Sequence, residues 1–342
     1  MVQVDNSTVK NDFSFNADPS KIGDVRLYDS FFINEYGRLE TLRSERYGAP
    51  FSVIVIHIES FYHGKKIPSR KGLQEFLKIL IKTINKVIRG CDIAGILDDK
   101  RIILILPHTA YFDSLIAIRK LSRALEFCTK IKPYASIIFS QATFPKDANG
   151  FGELVTIATG RIQERMDSLL ERLDFRDKLF WEMAAALTGN ELAEKDYSTF
   201  YIGAEHDLPN SFIDTLNTTI LQEVARNHRK KGILYMGVKK FSQDLPVVRS
   251  LQSINKTMTK IYVVGLGEDK KTKMGSATAL LLSDKRLLST YFTLFLNEDT
   301  AYGIFCNESW GDAHSCFHTS DSYIVEALIE KFQKDYSLQE KL

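Results

Sequence analysis

The sequence predicts an α/β (α+β) protein of two domains, each a central mixed or antiparallel sheet flanked by helices, the two joined by a long helix. Three observations predict it. Arg101-Ile102-Ile103-Leu104-Ile105-Leu106-Pro107 is an unbroken apolar run leaving a turn, the mark of a strand covered on both faces. Amphipathic helical stretches alternate with such runs in both halves of the chain. Finally, 342 residues at 44% hydrophobic and net charge +2 match two ordinary globular domains.

The elements follow in order. Residues 1–24 are a polar N-terminal segment with no apolar leader stretch. A first domain over residues 25–168 opens with the strand Phe51 to Ile58 and continues into an amphipathic helix, Leu73 to Ile88. The run Ile93 to Pro107 then forms two strands about the turn Asp98-Asp99-Lys100-Arg101. From Arg161 to about Leu192 the pattern is helical, with Met166, Leu169, Leu170, Leu173, Leu179 and Phe180 at three-and-four spacing. This predicts a helical linker over residues 169–198, able to join the domains rigidly or to pair with its copy in a homodimer. Gly189-Asn190 breaks it. The second domain, residues 199–342, reads as helix Ser211 to Asn227, strand Gly232 to Val238, helix Leu245 to Met258 and strand Lys260 to Gly267. Strands Thr290 to Leu296 and Ala301 to Cys306 follow.

From about Leu39 to Ser168 the chain resembles the GGDEF domain of diguanylate cyclases, with the letters of the signature turn replaced. That family's turn admits a guanine against its glycines and holds metal with its acids; here the slots hold Asp98, Asp99, Lys100 and Arg101. The strand Val53-Ile54-Val55-Ile56-His57-Ile58-Glu59 is similar to the family's first core strand, which places His57 at the metal-binding Asp and Glu59 at the second acid. The guanine-reading Asn and Asp correspond to Lys65 and Gln74, and a phosphate-binding Lys to Met166. Hard divalent cations need carboxylate oxygens. A cation in such a slot repels them, since unit charges 4 Å apart interact by about 4 kcal/mol at an effective dielectric near 20. These replacements predict a degenerate, catalytically inactive domain: a pseudo-enzyme with no catalytic residues, no metal and no cofactor.

One family site is kept. The resemblance implies an inhibitory-type cyclic di-GMP site at Arg89-Gly90-Cys91-Asp92, with Lys120 as the basic residue of the next helix and Arg119 beside it. The chemistry suits guanine: an Arg fork donates to the O6/N7 edge and a carboxylate accepts from the N1/N2 edge. A surface ion pair at a helix end is the plainer reading of the same residues.

The second half resembles the DICT sensory domain, through Gly237-Val238-Lys239-Lys240-Phe241, Val248-Arg249, the strand ending at Gly265, and Cys316-Phe317-His318-Thr319 leading into Tyr323-Ile324-Val325. That resemblance supplies no catalytic motif. Gly265-Leu266-Gly267 lacks the third glycine and the following helix of a dinucleotide loop. His314, Cys316 and His318 offer three ligand types close together, without the second spaced pair usual for zinc. The four cysteines show no CxxC spacing and imply free thiols in a reducing, cytoplasmic setting. Near-neutral charge excludes an electrostatic nucleic-acid binder, and no stretch has the length of a membrane span.

The expected function is a bacterial signalling protein that receives cyclic di-GMP at Arg89, Asp92 and Lys120 and relays its presence to the DICT-like domain or to an unidentified signalling protein. The alternative is a nucleotide-independent scaffold for protein interactions.

Overall fold

Long apolar strands need cover on both faces, and the computed structural model shows how each half supplies it. The structure describes residues 27–60, 70–126, 135–175, 177–203, 208–242, 245–251, 254, 256–267, 270–308 and 313–338. The described chain divides between Met166 and Asp167 into two compact units.

The first unit runs α1 (Ser30–Tyr47), β1 (Phe51–Ser60), α2 (Arg70–Val87), β2 (Ile93–Asp98), β3 (Arg101–Pro107), α3 (Tyr111–Glu126), β4 (Ala135–Phe144) and α4 (Phe151–Met166). Its strands form an antiparallel sheet in the order β2-β3-β1-β4. Because side chains alternate along a strand, Ile54, Ile56, Ile102 and Leu104 face one way and pack with Phe76, Leu80, Ile84, Ile118 and Leu121 of α2 and α3. Val53, Val55, Ile103 and Ile105 face the other way, onto Ile33 of α1 and Phe151, Leu154 and Ala158 of α4. Helix α1 starts where Asp29 accepts from the Phe32 amide at 2.8 Å and ends at Gly48, whose φ of 63° suits glycine.

The second unit begins with α5 (Leu169–Arg172), α6 (Phe180–Gly189), β5 (Ala193–Glu194), β6 (Tyr197–Gly203), α7 (Leu208–Arg226), β7 (Gly232–Lys240) and α8 (Pro246–Leu251). It continues with β8 (Thr259–Leu266), β9 (Lys270–Met274), β10 (Ala277–Leu282), β11 (Thr290–Asn297), β12 (Ala301–Glu308), β13 (Ala313–Thr319) and α9 (Ser322–Asp335). Nine strands form one mixed sheet, β5-β6-β13-β12-β11-β7-β8-β10-β9, parallel only at β7/β8 and β8/β10. On one face Ile220, Leu221 and Val224 of α7 and Val247 and Val248 of α8 cover Leu234, Met236 and Phe295. The other face is aromatic: Phe180 of α6 packs edge-on against Phe332 of α9 and against Phe292, Phe332 is tilted against Phe292, and Phe305 is tilted beside Phe180.

Two expectations are corrected here. The single helix predicted from Arg161 to Leu192 is three: α4 stops at Met166, α5 is one turn, and α6 starts at Phe180. Its spacing satisfied the helical period, but Ser168 is extended and Asp174 has φ of 49°, so the backbone turns twice within it. The helix predicted over Leu245 to Met258 is only Pro246–Leu251. The Met258 amide bonds His228 O at 2.8 Å, which draws the chain into β8 instead. The glycines Gly265 and Gly267 end a strand that turns into the β9/β10 hairpin, with Gly267 N bonded to Leu282 O at 3.0 Å. No helix follows them.

Candidate ligand site

The helix α2 is amphipathic and its last turn runs into Arg89 through the Ile88 amide bonded to Ile84 O at 3.1 Å. The chain then folds back: Asp92 N bonds Arg89 O at 3.0 Å, and Arg89 N donates to Asp92 Oδ2 at 2.7 Å. This tight turn brings the two side chains together at the start of β2. Arg89 Nε reaches both carboxylate oxygens, at 3.1 and 3.2 Å, and Nη2 reaches Oδ1 at 2.8 Å. Nη2 also donates to Pro107 O at 3.1 Å and to Thr109 Oγ1 at 2.7 Å, beyond the end of β3. The Asp92 hydrogen bond outweighs burial and holds the guanidinium above its ordinary pKa.

The pair is asymmetric. The Asp92 side chain is 4% exposed and that of Arg89 is 53% exposed. Nε and Nη2 of Arg89 are therefore anchored, and Nη1 makes no hydrogen bond among the described residues. Nη1 can donate to an incoming acceptor, while Asp92 can accept from a ligand only by releasing Arg89. Thr109 and the Pro107 carbonyl are parts of this site that the sequence did not reveal; they join it across β3, with no local signal. Lys120 lies exposed on α3, whereas its neighbour Arg119 is buried at 5% exposure.

The family-like hairpin is a separate cluster. His57 on β1 pairs with Arg101 on β3, and Ile58 N bonds Lys100 O at 3.0 Å. Asp98 accepts from Lys100 N at 2.9 Å and forms an ion pair with Arg101. These bonds hold Asp98 below the ordinary carboxylate range although burial opposes them. Burial first, then Arg101 and Lys100, hold His57 below the ordinary imidazole value, against the nearby Glu59 and Asp98. His57 Nδ1 is buried without a hydrogen bond. Glu59 follows on β1, and Asp99 lies exposed at the turn. Lys65, and the side chain of Gln74 on α2, lie outside the described residues.

Among the described residues no group of three or more His, Cys, Asp or Glu is placed to hold a metal. His314, Cys316 and His318 alternate on β13, and among the described residues they are not placed as a metal-holding group. His318 Nε2 instead bonds Ser198 Oγ at 2.9 Å. No described helix is long and apolar enough to cross a membrane.

Comparison with solved structures returns GGDEF domains of diguanylate cyclases, while no family model and no curated protein matches the chain. The GGDEF domain of YfiN (TpbB) from Pseudomonas aeruginosa is 14% identical, with 41% of this chain and 86% of that one covered, at a TM-score of 0.37. The active GGEEF domain of a diguanylate cyclase from Vibrio cholerae is also 14% identical, with 41% and 90% covered, at 0.37. The GGDEF domain of DgcB from Caulobacter crescentus, in complex with c-di-GMP, is 10% identical, with 40% and 81% covered, at 0.34. These findings correct the expectation that the chain is not an enzyme: the similar domains are cyclases, one of them described as active, and at 14% identity replaced letters do not establish inactivity.

Proposed function

We propose that this chain is a signalling protein responsive to cyclic di-GMP, with Arg89 as the guanine-reading group of its first unit. The observation that carries the reading is a half-exposed Arg89 whose Nη2 is fixed by Asp92, Thr109 and the Pro107 carbonyl while Nη1 is left to donate. A guanidinium already immobilised through Nε and Nη2 loses little rotamer freedom when Nη1 donates to a guanine acceptor. Asp92 acts first as the group that orients Arg89, and Lys120 supplies positive charge from α3 toward the phosphates. The second unit is read as DICT-like, and it or a protein partner reads the bound state.

A nucleotide-independent scaffold is the second reading, favoured by one observation: both Asp92 oxygens are already occupied by Arg89. Isothermal titration with cyclic di-GMP separates the two. Wild type, Arg89→Ala and Arg89→Lys are compared, with far-UV circular dichroism confirming that each variant is folded. The receptor reading expects micromolar binding in wild type, abolished by Ala and weakened at least tenfold by Lys, which keeps the charge but not the fork. Absence of heat in folded wild type, or equal binding by all three, leaves the scaffold.

A further inference from the structure

We propose that Cys306 and Cys316 form a dithiol site that closes to a disulfide within the second unit on exchange with a small disulfide. The two residues are directly opposed on β12 and β13 in antiparallel register. Opposed residues in such a pair have Cα atoms about 4.5–5.5 Å apart, inside the span of about 4.4–6.8 Å that a disulfide bridges. Both side chains are fully buried on the same face of the sheet, beneath Ile213 of α7 and beside Ile304. Both are free thiols, and the Cys316 thiol donates to His314 O at 3.9 Å.

The register does the work that sequence spacing conceals. Cys306 and Cys316 look unrelated in the chain, and the pairing of β12 with β13 brings them face to face. On that face Ile213, Ile304 and Phe200 are apolar, Tyr302 has its own hydroxyl pushed up to about 12 by burial, and His318, two residues from Cys316 on β13, is held below the ordinary imidazole value by burial. The Cys306 thiol is pushed up, by Cys316 beside it and then by burial. Exchange therefore starts when the face under α7 opens, and it ends internally because the second thiol is already in place.

The step balances without an external oxidant beyond the small disulfide. The thiolate of one cysteine attacks a sulfur of the reagent and expels one reagent thiol; the second protein thiolate attacks the mixed disulfide and expels the other. Two protein thiols are oxidised, one reagent disulfide is reduced to two thiols, and the protons pass to the leaving thiolates.

The test incubates the full reduced chain with oxidised glutathione until no further change occurs, quenches with acid and maps peptides. Both cysteines fall in one tryptic peptide, Leu287 to Lys331, and Cys91 falls in another, Gly90 to Lys100. The expected result is a Leu287 to Lys331 peptide lighter by two hydrogens, restored by a reductant. Cys316→Ala, with its fold checked by circular dichroism, loses that change. Glutathione retained on either thiol of the wild-type peptide, or an unmodified peptide while Cys91 is glutathionylated, overturns the proposal.

Discussion

Arg89 binds the Asp92 carboxylate through Nε and Nη2, so that a buried acid, 4% exposed, is neutralised by a cation that is 53% exposed. The two halves of this pair therefore carry different energetic weight. Arg89→Ala leaves a buried carboxylate without its partner, a cost of about 2–3 kcal/mol once the partial exposure of the pair is discounted. Asp92→Ala leaves a guanidinium that water reaches, for about 1 kcal/mol. Urea unfolding checks the order; an equal or larger loss in Asp92→Ala contradicts it.

Gly37 lies on the buried face of α1, where an added Cβ would stand 2.4 Å from the Phe151 ring. Alanine at a helix interior gains up to about 1 kcal/mol in propensity. Overpacking costs about 1–3 kcal/mol, and Phe151 is only 7% exposed and cannot swing aside freely. Gly37→Ala is expected to lower the thermal midpoint; a rise shows that α4 yields.

His57 couples the first unit to pH. Its folded pKa is below the ordinary 6.5, so between 6.5 and that lower value the unfolded chain binds a proton that the folded chain does not. Stability from this residue is complete above pH 6.5 and falls as the pH drops below it. His57→Gln is expected to flatten that part of the stability profile, measured by urea unfolding at a series of pH values. An unchanged slope removes His57 as its source.

In the second unit, Trp181 Nε1 donates to the Tyr336 hydroxyl, which donates to Asp284, and Arg286 both bonds Asp284 and lies over the Trp181 ring at 5.5 Å. Burial pushes the Asp284 carboxyl up, yet bonds from Arg286 and Tyr336 hold it at about 2, against an ordinary 3.8. The stabilisation is present above pH 3.8 and is lost as the pH falls through about 2. Asp284→Asn is expected to remove this acid dependence. Tyr336→Phe deprives an indole and a carboxylate of a partner together and is expected to cost about 1–2 kcal/mol by thermal unfolding.

Much of the fold was legible because its strands are long and apolar. Val53 to Ile56 and Ile102 to Leu106 read as strands covered on both faces, and α1 with α4 on one side and α2 with α3 on the other provide that cover. The strands β4, β5, β6, β9, β10 and β13 were not read. β9 is Lys270-Lys271-Thr272-Lys273-Met274, and β13 is Ala313 to Thr319 with two histidines, so neither carries an apolar run. Their backbones are fixed by pairing with β10, β12 and β6 rather than by their own residues.

The sequence by itself determined the α/β class, the apolar strands, the hairpin Asp98-Asp99-Lys100-Arg101 and the closeness of Arg89 to Asp92, because each is a property of neighbours in the chain. Only the tertiary structure decided which edge of Arg89 is anchored, since Pro107 at the end of β3 and Thr109 just after it reach that edge. It likewise decided that the stretch from Arg161 to Leu192 breaks, and that Cys306 faces Cys316. Periodicity records which face of a segment is apolar; it does not record the hydrogen bonds to Pro107 and Thr109, the backbone turns at Ser168 and Asp174 or the strand register that set these outcomes.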